Sequence, residues 1–191
     1  MEEQKPMKIL LILGLAFGAV VSFASQAART QELPQSVAVE QKAANLEVSL
    51  AADKRTYKRS DDIDLEVKLT NTDGVKDIFV YGTLEFGFRG SFMLYHQDAK
   101  GKDVPTQFFP EAQTRVPDTK DTSAFVKLLP DHFLGTYYRS SIGTLNMVRP
   151  GKYSIWVEYS CPVSIADVAL KPFFGKENGP LKSNVVWIEV L

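Results

Sequence analysis

The chain has 191 residues, of which 22 are basic and 23 are acidic, so its formal net charge is −1. That length suits one domain with a hydrophobic core, and the balanced charge argues against nucleic-acid binding, which needs a basic surface. A single cysteine excludes a disulfide within the chain and a zinc site built from several thiolates. Since there are also only two histidines, we expect no metal or other cofactor.

The first 27 residues have the three parts of a secretory signal peptide. Lys5 and Lys8 precede an apolar run over residues 9–21, and small residues follow this run as far as Ala27. The run is shorter than the ~20 residues that a membrane-spanning helix needs. We therefore predict an exported protein, periplasmic or extracellular, that contacts a membrane only through this segment if it stays uncleaved.

Residues 28–45 are polar and contain several glutamines, one proline and few large apolar side chains. This composition is typical of a flexible linker. The folded domain is predicted to cover residues 46–191.

From residue 46 onward, apolar residues recur with a period of two, which indicates half-buried strands. The clearest case is residues 63–69, where isoleucine, leucine and valine alternate with charged residues. Further strands are predicted over residues 46–50, 78–81, 92–96, 123–128, 153–159 and 184–190. Together with the turn residues between them, they predict an all-β fold, an immunoglobulin-like antiparallel β-sandwich of about seven to nine strands. We expect Trp156 or Trp187 to supply its central core aromatic residue.

Three segments resemble the immunoglobulin-like domains of exported bacterial proteins: residues 53–71, 125–131 and 148–159. The first is similar to the opening hairpin of macroglobulin-type domains and of the BsuPI family of proteinase inhibitors. Ser60 and Asp131 stand where that pattern has glycine, a change that turns accept when φ is negative. The resemblance implies the sandwich fold and leaves the activity open, because its motifs are turn and core signals shared by proteins of many roles.

One acidic group supplies oxygen atoms of the kind that calcium binds. Its members are Asp61, Asp62, Asp64, Asn71, Asp73 and Asp77. Their spacing does not match an EF-hand loop, and aspartate and asparagine are common turn residues. We therefore interpret the group as turns and a solvated strand face.

Few residues are suited to nucleophilic catalysis. Cys161 has only His132 and His96 as possible imidazole partners, and no serine has the glycine-framed setting of a nucleophile elbow. We expect no enzymatic activity and interpret Cys161 as a small buried residue. The alternative for this lone thiol is an intermolecular disulfide.

Three aromatic pairs, at residues 108–109, 137–138 and 173–174, are candidates for an exposed surface. Neighbours on a strand point to opposite faces, so one member of each pair should leave the core unless that face is also covered. The candidate partner-binding residues are Pro172, Phe173, Phe174, Phe108 and Phe109. The alternative is that the long segment around Phe173 is a lid whose phenylalanines pack onto the core.

The predicted function is an exported, non-catalytic module that binds an unidentified protein partner or has a structural role. Its contact surface is expected in residues 161–181, with residues 105–121 as the second choice. The alternative function is proteinase inhibition, which the resemblance to the BsuPI-type domain implies.

Overall fold

The computed structural model describes residues 45–87, 91–106 and 118–191. The predicted signal peptide and almost all of the predicted linker lie outside the described residues. The strands are β1 Leu46–Ala52, β2 Thr56–Tyr57, β3 Asp62–Asn71, β4 Ile78–Tyr81, β5 Phe92–Asp98, β6 Phe125–Leu128, β7 Phe133–Ser141, β8 Gly151–Tyr159, β9 Leu181–Lys182 and β10 Val186–Val190. Short 3-10 helices cover Thr122–Ala124, Ile165–Asp167 and Lys176–Asn178. In the described part of the chain, no helix is long and apolar enough to cross a membrane.

The strands form three sheets. The first has the order β1-β3-β7, the second has the order β2-β10-β8-β5 with β9 also paired to β8, and the third joins β4 to β6. Every pair is antiparallel except β2 with β10, which is parallel. The prediction of an all-β antiparallel sandwich is confirmed. The described residues form ten strands where about seven to nine were expected, because β7 and the two-residue strands β2 and β9 were not among the predicted ones.

The core forms from the alternating residues of the long strands. In β3, Ile63, Leu65, Val67 and Leu69 are fully buried, whereas the charged residues between them are partly exposed. In β8, the large apolar side chains follow the same period and are buried at Tyr153, Ile155, Val157 and Tyr159, and Ser154 between the first two is buried as well. Full burial of an aliphatic side chain of this size contributes about 1.5–3 kcal/mol, so these two strands supply much of the stability.

Asn71 closes the end of β3 with a buried polar network. Its Nδ2 donates to the carbonyl oxygens of Lys76 (2.8 Å) and Leu128 (3.1 Å). Its Oδ1 accepts a hydrogen bond from the backbone N–H of Asp73 at 3.0 Å. The side chain is only 1% exposed, so it joins β3 to β6 and to the following turn without help from solvent.

Asp131 does not have the negative φ that was expected to let it replace glycine. Its φ is 60°, in the left-handed region. Aspartate is one of the few residues besides glycine and asparagine that adopt this conformation readily. The turn is held by a hydrogen bond from the Asp131 N–H to the carbonyl oxygen of Asn71 (3.0 Å).

Candidate functional site

The segment between β8 and β9 carries the predicted contact residues, and the structure anchors it to β4. The backbone N–H of Phe79 donates to the carbonyl oxygen of Pro172, and the N–H of Phe174 donates to the carbonyl oxygen of Phe79, both at 2.9 Å. These bonds draw the segment inward. Pro172 itself remains exposed.

Phe173 and Phe174 are both buried, at 3% and 1% exposure. The Phe173 ring meets the Phe125 ring edge-on at 5.4 Å, and the Phe174 ring lies 5.7 Å from that of Tyr159. The two rings belong to the core, as in the lid alternative. This corrects their assignment to a binding patch, because neither ring is accessible to a partner. Phe108 and Phe109 lie outside the described residues.

The rest of this segment is also tied down. The Glu177 carboxylate accepts hydrogen bonds from the backbone N–H of Ile165, at 2.9 Å, and from the Ser164 hydroxyl. Both bonds stabilise the charged carboxylate, so the pKa of Glu177 lies below its ordinary value, with the Ile165 N–H as the largest cause.

The residues considered for catalysis lie apart in separate structural settings. His96 is buried and its Nε2 lies 2.6 Å from the Leu145 carbonyl oxygen, while burial lowers the pKa of the imidazole. His132 is exposed in a loop, with its Nδ1 2.9 Å from the carbonyl oxygen of Pro130. Cys161 is 4% exposed, and burial raises the pKa of its thiol to about 11.

We expect Cys161 to be unreactive in the folded protein, because its thiol is buried and stays protonated at neutral pH. A maleimide reagent at pH 7 should leave the native protein unlabelled and should label one site per chain once urea unfolds it. Mass spectrometry measures the adduct. Rapid labelling of the native protein would contradict the buried placement and would favour the intermolecular disulfide.

The acidic group makes local structural contacts. Asp61 pairs with Lys54 at 2.8 Å, and Asp64 pairs with Arg139 at 2.6 Å. Asp73 accepts hydrogen bonds from two backbone N–H groups of the turn that follows it. These contacts lower the pKa of all three carboxyls. Within the residues that the structure describes, no three histidine, cysteine, aspartate or glutamate side chains gather as a metal site.

The outer face of the second sheet carries exposed aromatic side chains. Tyr95 of β5, Trp156 of β8 and Trp187 of β10 all point away from the core, and we call this surface the aromatic face. Trp187 is 57% exposed and Tyr95 is 38% exposed. The expectation that Trp156 or Trp187 fills the centre of the core is therefore wrong. Their strands turn the other set of alternate residues inward.

Trp156 stands between two neighbours on the aromatic face. The Tyr95 ring lies 5.5 Å from its ring with an angle of 9° between the planes. Lys182 Nζ lies 4.3 Å from the ring centre. Since β5 and β9 pair with opposite edges of β8, these two residues cover opposite sides of the indole. The buried Trp156 Nε1 has no hydrogen-bond partner in the described part of the chain.

A concavity of about 250 Å³ lies between Trp156 and Trp187, and we call it the aromatic cleft. Ser154 pairs with Trp187 on one side and with Gln97 on the other, so it forms the floor. Lys182 also lines the cleft. The cleft thus combines apolar walls with an amide, a hydroxyl, an ammonium group and the carboxylate of Asp98.

A second concavity, of about 480 Å³, lies between residues 98–105 and 146–153, and we call it the basic cleft. Its charged lining residues are Lys100, Lys102, Arg149, Lys152, Asp98 and Asp103. Among the described residues, none of the four cations forms an ion pair with a carboxylate. Sequence reasoning did not single out these cations, because they come from two turns far apart in the chain.

No protein-family model matches the chain, and no curated protein matches it either. Among solved structures, it is similar to part of a β-glucosidase, EmGH1, from Erythrobacter marinus. The sequence identity is 13% and the TM-score is 0.36, and the match covers 76% of this chain and 15% of that one. A likeness at this level does not establish a shared fold or activity.

Proposed function

We propose that the protein is an exported, non-catalytic module that binds a protein partner through the aromatic face. The observation that carries the proposal is the exposure of Trp187 and Tyr95 on one face of the sheet, with the aromatic cleft next to Trp187. Tryptophan and tyrosine are enriched among the residues that dominate protein–protein binding energy. Exposed aromatic groups rimmed by polar residues mark interaction surfaces.

The geometry supports a definite mode of contact. Trp187 serves as the projecting anchor, and the aromatic cleft beside it receives an apolar side chain of the partner. Gln97 and Ser154 in this cleft supply hydrogen-bonding groups that orient the bound segment. Lys182 and Glu158 pair across β9 and β8 and form a charged rim on the same face.

The aromatic face is also held rigidly. β8 is paired along one edge with β5 and along the other with β10 and β9. The stacked Tyr95 and Trp156 rings restrict each other further. A surface that is already ordered loses little conformational entropy when it binds.

The test is site-specific photo-crosslinking in the cell that produces the protein. A photoreactive phenylalanine analogue replaces Val185 in one variant and Tyr137 in a matched control. Val185 lines the aromatic cleft and is 43% exposed, so the probe leaves the anchor Trp187 intact. Tyr137 is 74% exposed on the β1-β3-β7 sheet. The proposal predicts a discrete protein adduct from position 185 and none of the same mass from position 137. No adduct at 185, or identical adducts at both positions, would overturn it.

A further inference from the structure

We propose that the partner segment bound at the aromatic face is acidic. It is an extended stretch of polypeptide whose aspartate and glutamate carboxylates occupy the basic cleft. The inference rests on the proposed function for the statement that the ligand is a protein. The charge of the cleft is an independent observation. It adds a chemical specificity that the aromatic face alone does not define.

The lining of the basic cleft has more cations than carboxylates, and both carboxylates accept hydrogen bonds from uncharged groups of the chain. Asp98 Oδ1 accepts hydrogen bonds from the backbone N–H groups of Lys100 (2.8 Å) and Lys102 (3.0 Å). Asp103 Oδ1 accepts one from Gln97 Nε2 at 2.9 Å. Four cations against two carboxylates give the lining a formal charge of +2, whereas the whole chain carries −1. Anionic groups are therefore attracted to this end of the sandwich.

The two clefts lie next to each other along β8. Lys152, Ser154 and Trp156 are alternate residues of this strand, so they share its outer face, with about 7 Å between successive members. Lys152 lines the basic cleft, Ser154 and Trp156 line the aromatic cleft, and Asp98 lines both. One extended segment can thus place an apolar side chain beside Trp187 and carboxylates a few residues away.

The arrangement suits several separate carboxylates better than one phosphate group. Phosphate sites commonly gather backbone N–H groups around a compact anion. In this cleft, the N–H groups of Lys100, Gly101 and Lys102 all donate to Asp98. The remaining donors are cations on long, separately rooted side chains, which match charges spaced along a chain.

The aromatic face also favours a polypeptide over other acidic polymers. Sequence-tolerant binding of single-stranded nucleic acid depends on open ring faces for stacking. The ring of Trp156 is covered by Tyr95 and Lys182, so Trp187 is the accessible indole.

The test measures binding of a fluorescein-labelled peptide with six glutamates, by fluorescence anisotropy, to the purified protein. The triple variant Lys100→Gln/Lys102→Gln/Lys152→Gln removes three cations from the cleft. Its control, Lys58→Gln/Arg59→Gln/Lys76→Gln, removes three exposed cations elsewhere. Melting temperatures verify that both variants fold.

We expect the peptide to bind, added salt to weaken it, the cleft variant to lose at least tenfold in affinity, and the control to stay within twofold. Equal binding of a peptide with glutamine at all six positions would overturn the inference. So would an unchanged affinity of the cleft variant. Tighter binding of oligogalacturonate, or of single-stranded DNA of equal charge, would overturn the assignment to a polypeptide.

The outcomes separate this inference from the proposed function. If the protein crosslinked at position 185 binds the cleft variant with unchanged affinity, the acidic segment is refuted and the proposed function stands. If no protein crosslinks while the glutamate peptide still binds through the cleft lysines, the proposed function fails and the anionic specificity of the cleft stands.

Discussion

The substitution Phe174→Ala should lower the free energy of unfolding by about 4 kcal/mol, as expected for removing a buried aromatic ring. Phe174 is 1% exposed and packs against Tyr159. Its loss leaves a cavity where the β8–β9 segment closes over the sandwich. Urea unfolding, followed by tryptophan fluorescence or circular dichroism, measures the change.

Lys176→Ala is the matched control, since Lys176 lies two residues further along the same segment and is exposed. It should change the free energy of unfolding by no more than about 0.5 kcal/mol. A loss below about 1 kcal/mol for Phe174→Ala would place the ring outside the cooperative core. The segment between β8 and β9 would then again be a candidate contact surface.

Asn71→Asp should cost about 3 kcal/mol at pH 7, although it changes the shape of the side chain very little. The Nδ2 that donates to the carbonyl oxygens of Lys76 and Leu128 becomes an oxygen facing two oxygens. The new carboxylate is also buried, which carries a further penalty. Urea unfolding at several pH values measures this effect.

The pH dependence gives Asn71→Asp a second signature. Burial raises the pKa of the introduced carboxyl above its unfolded value of about 3.9. Protonation restores one donor, so the deficit relative to the native chain should shrink as the pH falls toward 4 and grow as it rises. In the control Asn178→Asp, the side-chain oxygen that accepts from Gly175 N–H is kept. A similar loss in both variants would contradict the donor role of Asn71.

The fold could be predicted where one face of a strand is uniformly buried. The residues of β3 alternate without exception, and its register with β1 and β7 follows from that pattern. β7 was missed because one of its faces is exposed and the other is only half-buried, with Thr136 and Ser140 at positions where a buried strand would carry apolar side chains. The strand is stabilised by its pairing with β3. Because β3 is distant in the chain, the amino-acid composition of residues 133–141 does not indicate this pairing.

The outward orientation of Trp156 and Trp187, predicted wrongly as a core position, is indicated by the residues that alternate with them. In β8, Trp156 shares its alternation with Ser154 and Glu158, and in β10, Trp187 shares its alternation with Glu189. These polar companions mark both indoles as facing outward. The basic cleft has no comparable signal, because its two turns come together only through the pairing of β5 with β8.

The dissociation constant of the purified crosslinked partner shows whether Trp187 anchors it. The variants are Trp187→Ala and Tyr137→Ala, measured beside the native chain by isothermal titration calorimetry. We expect at least a tenfold rise in the dissociation constant for Trp187→Ala, equivalent to about 1.4 kcal/mol or more, and no change for Tyr137→Ala. Equal dissociation constants for all three proteins would show that Trp187 is not the anchor.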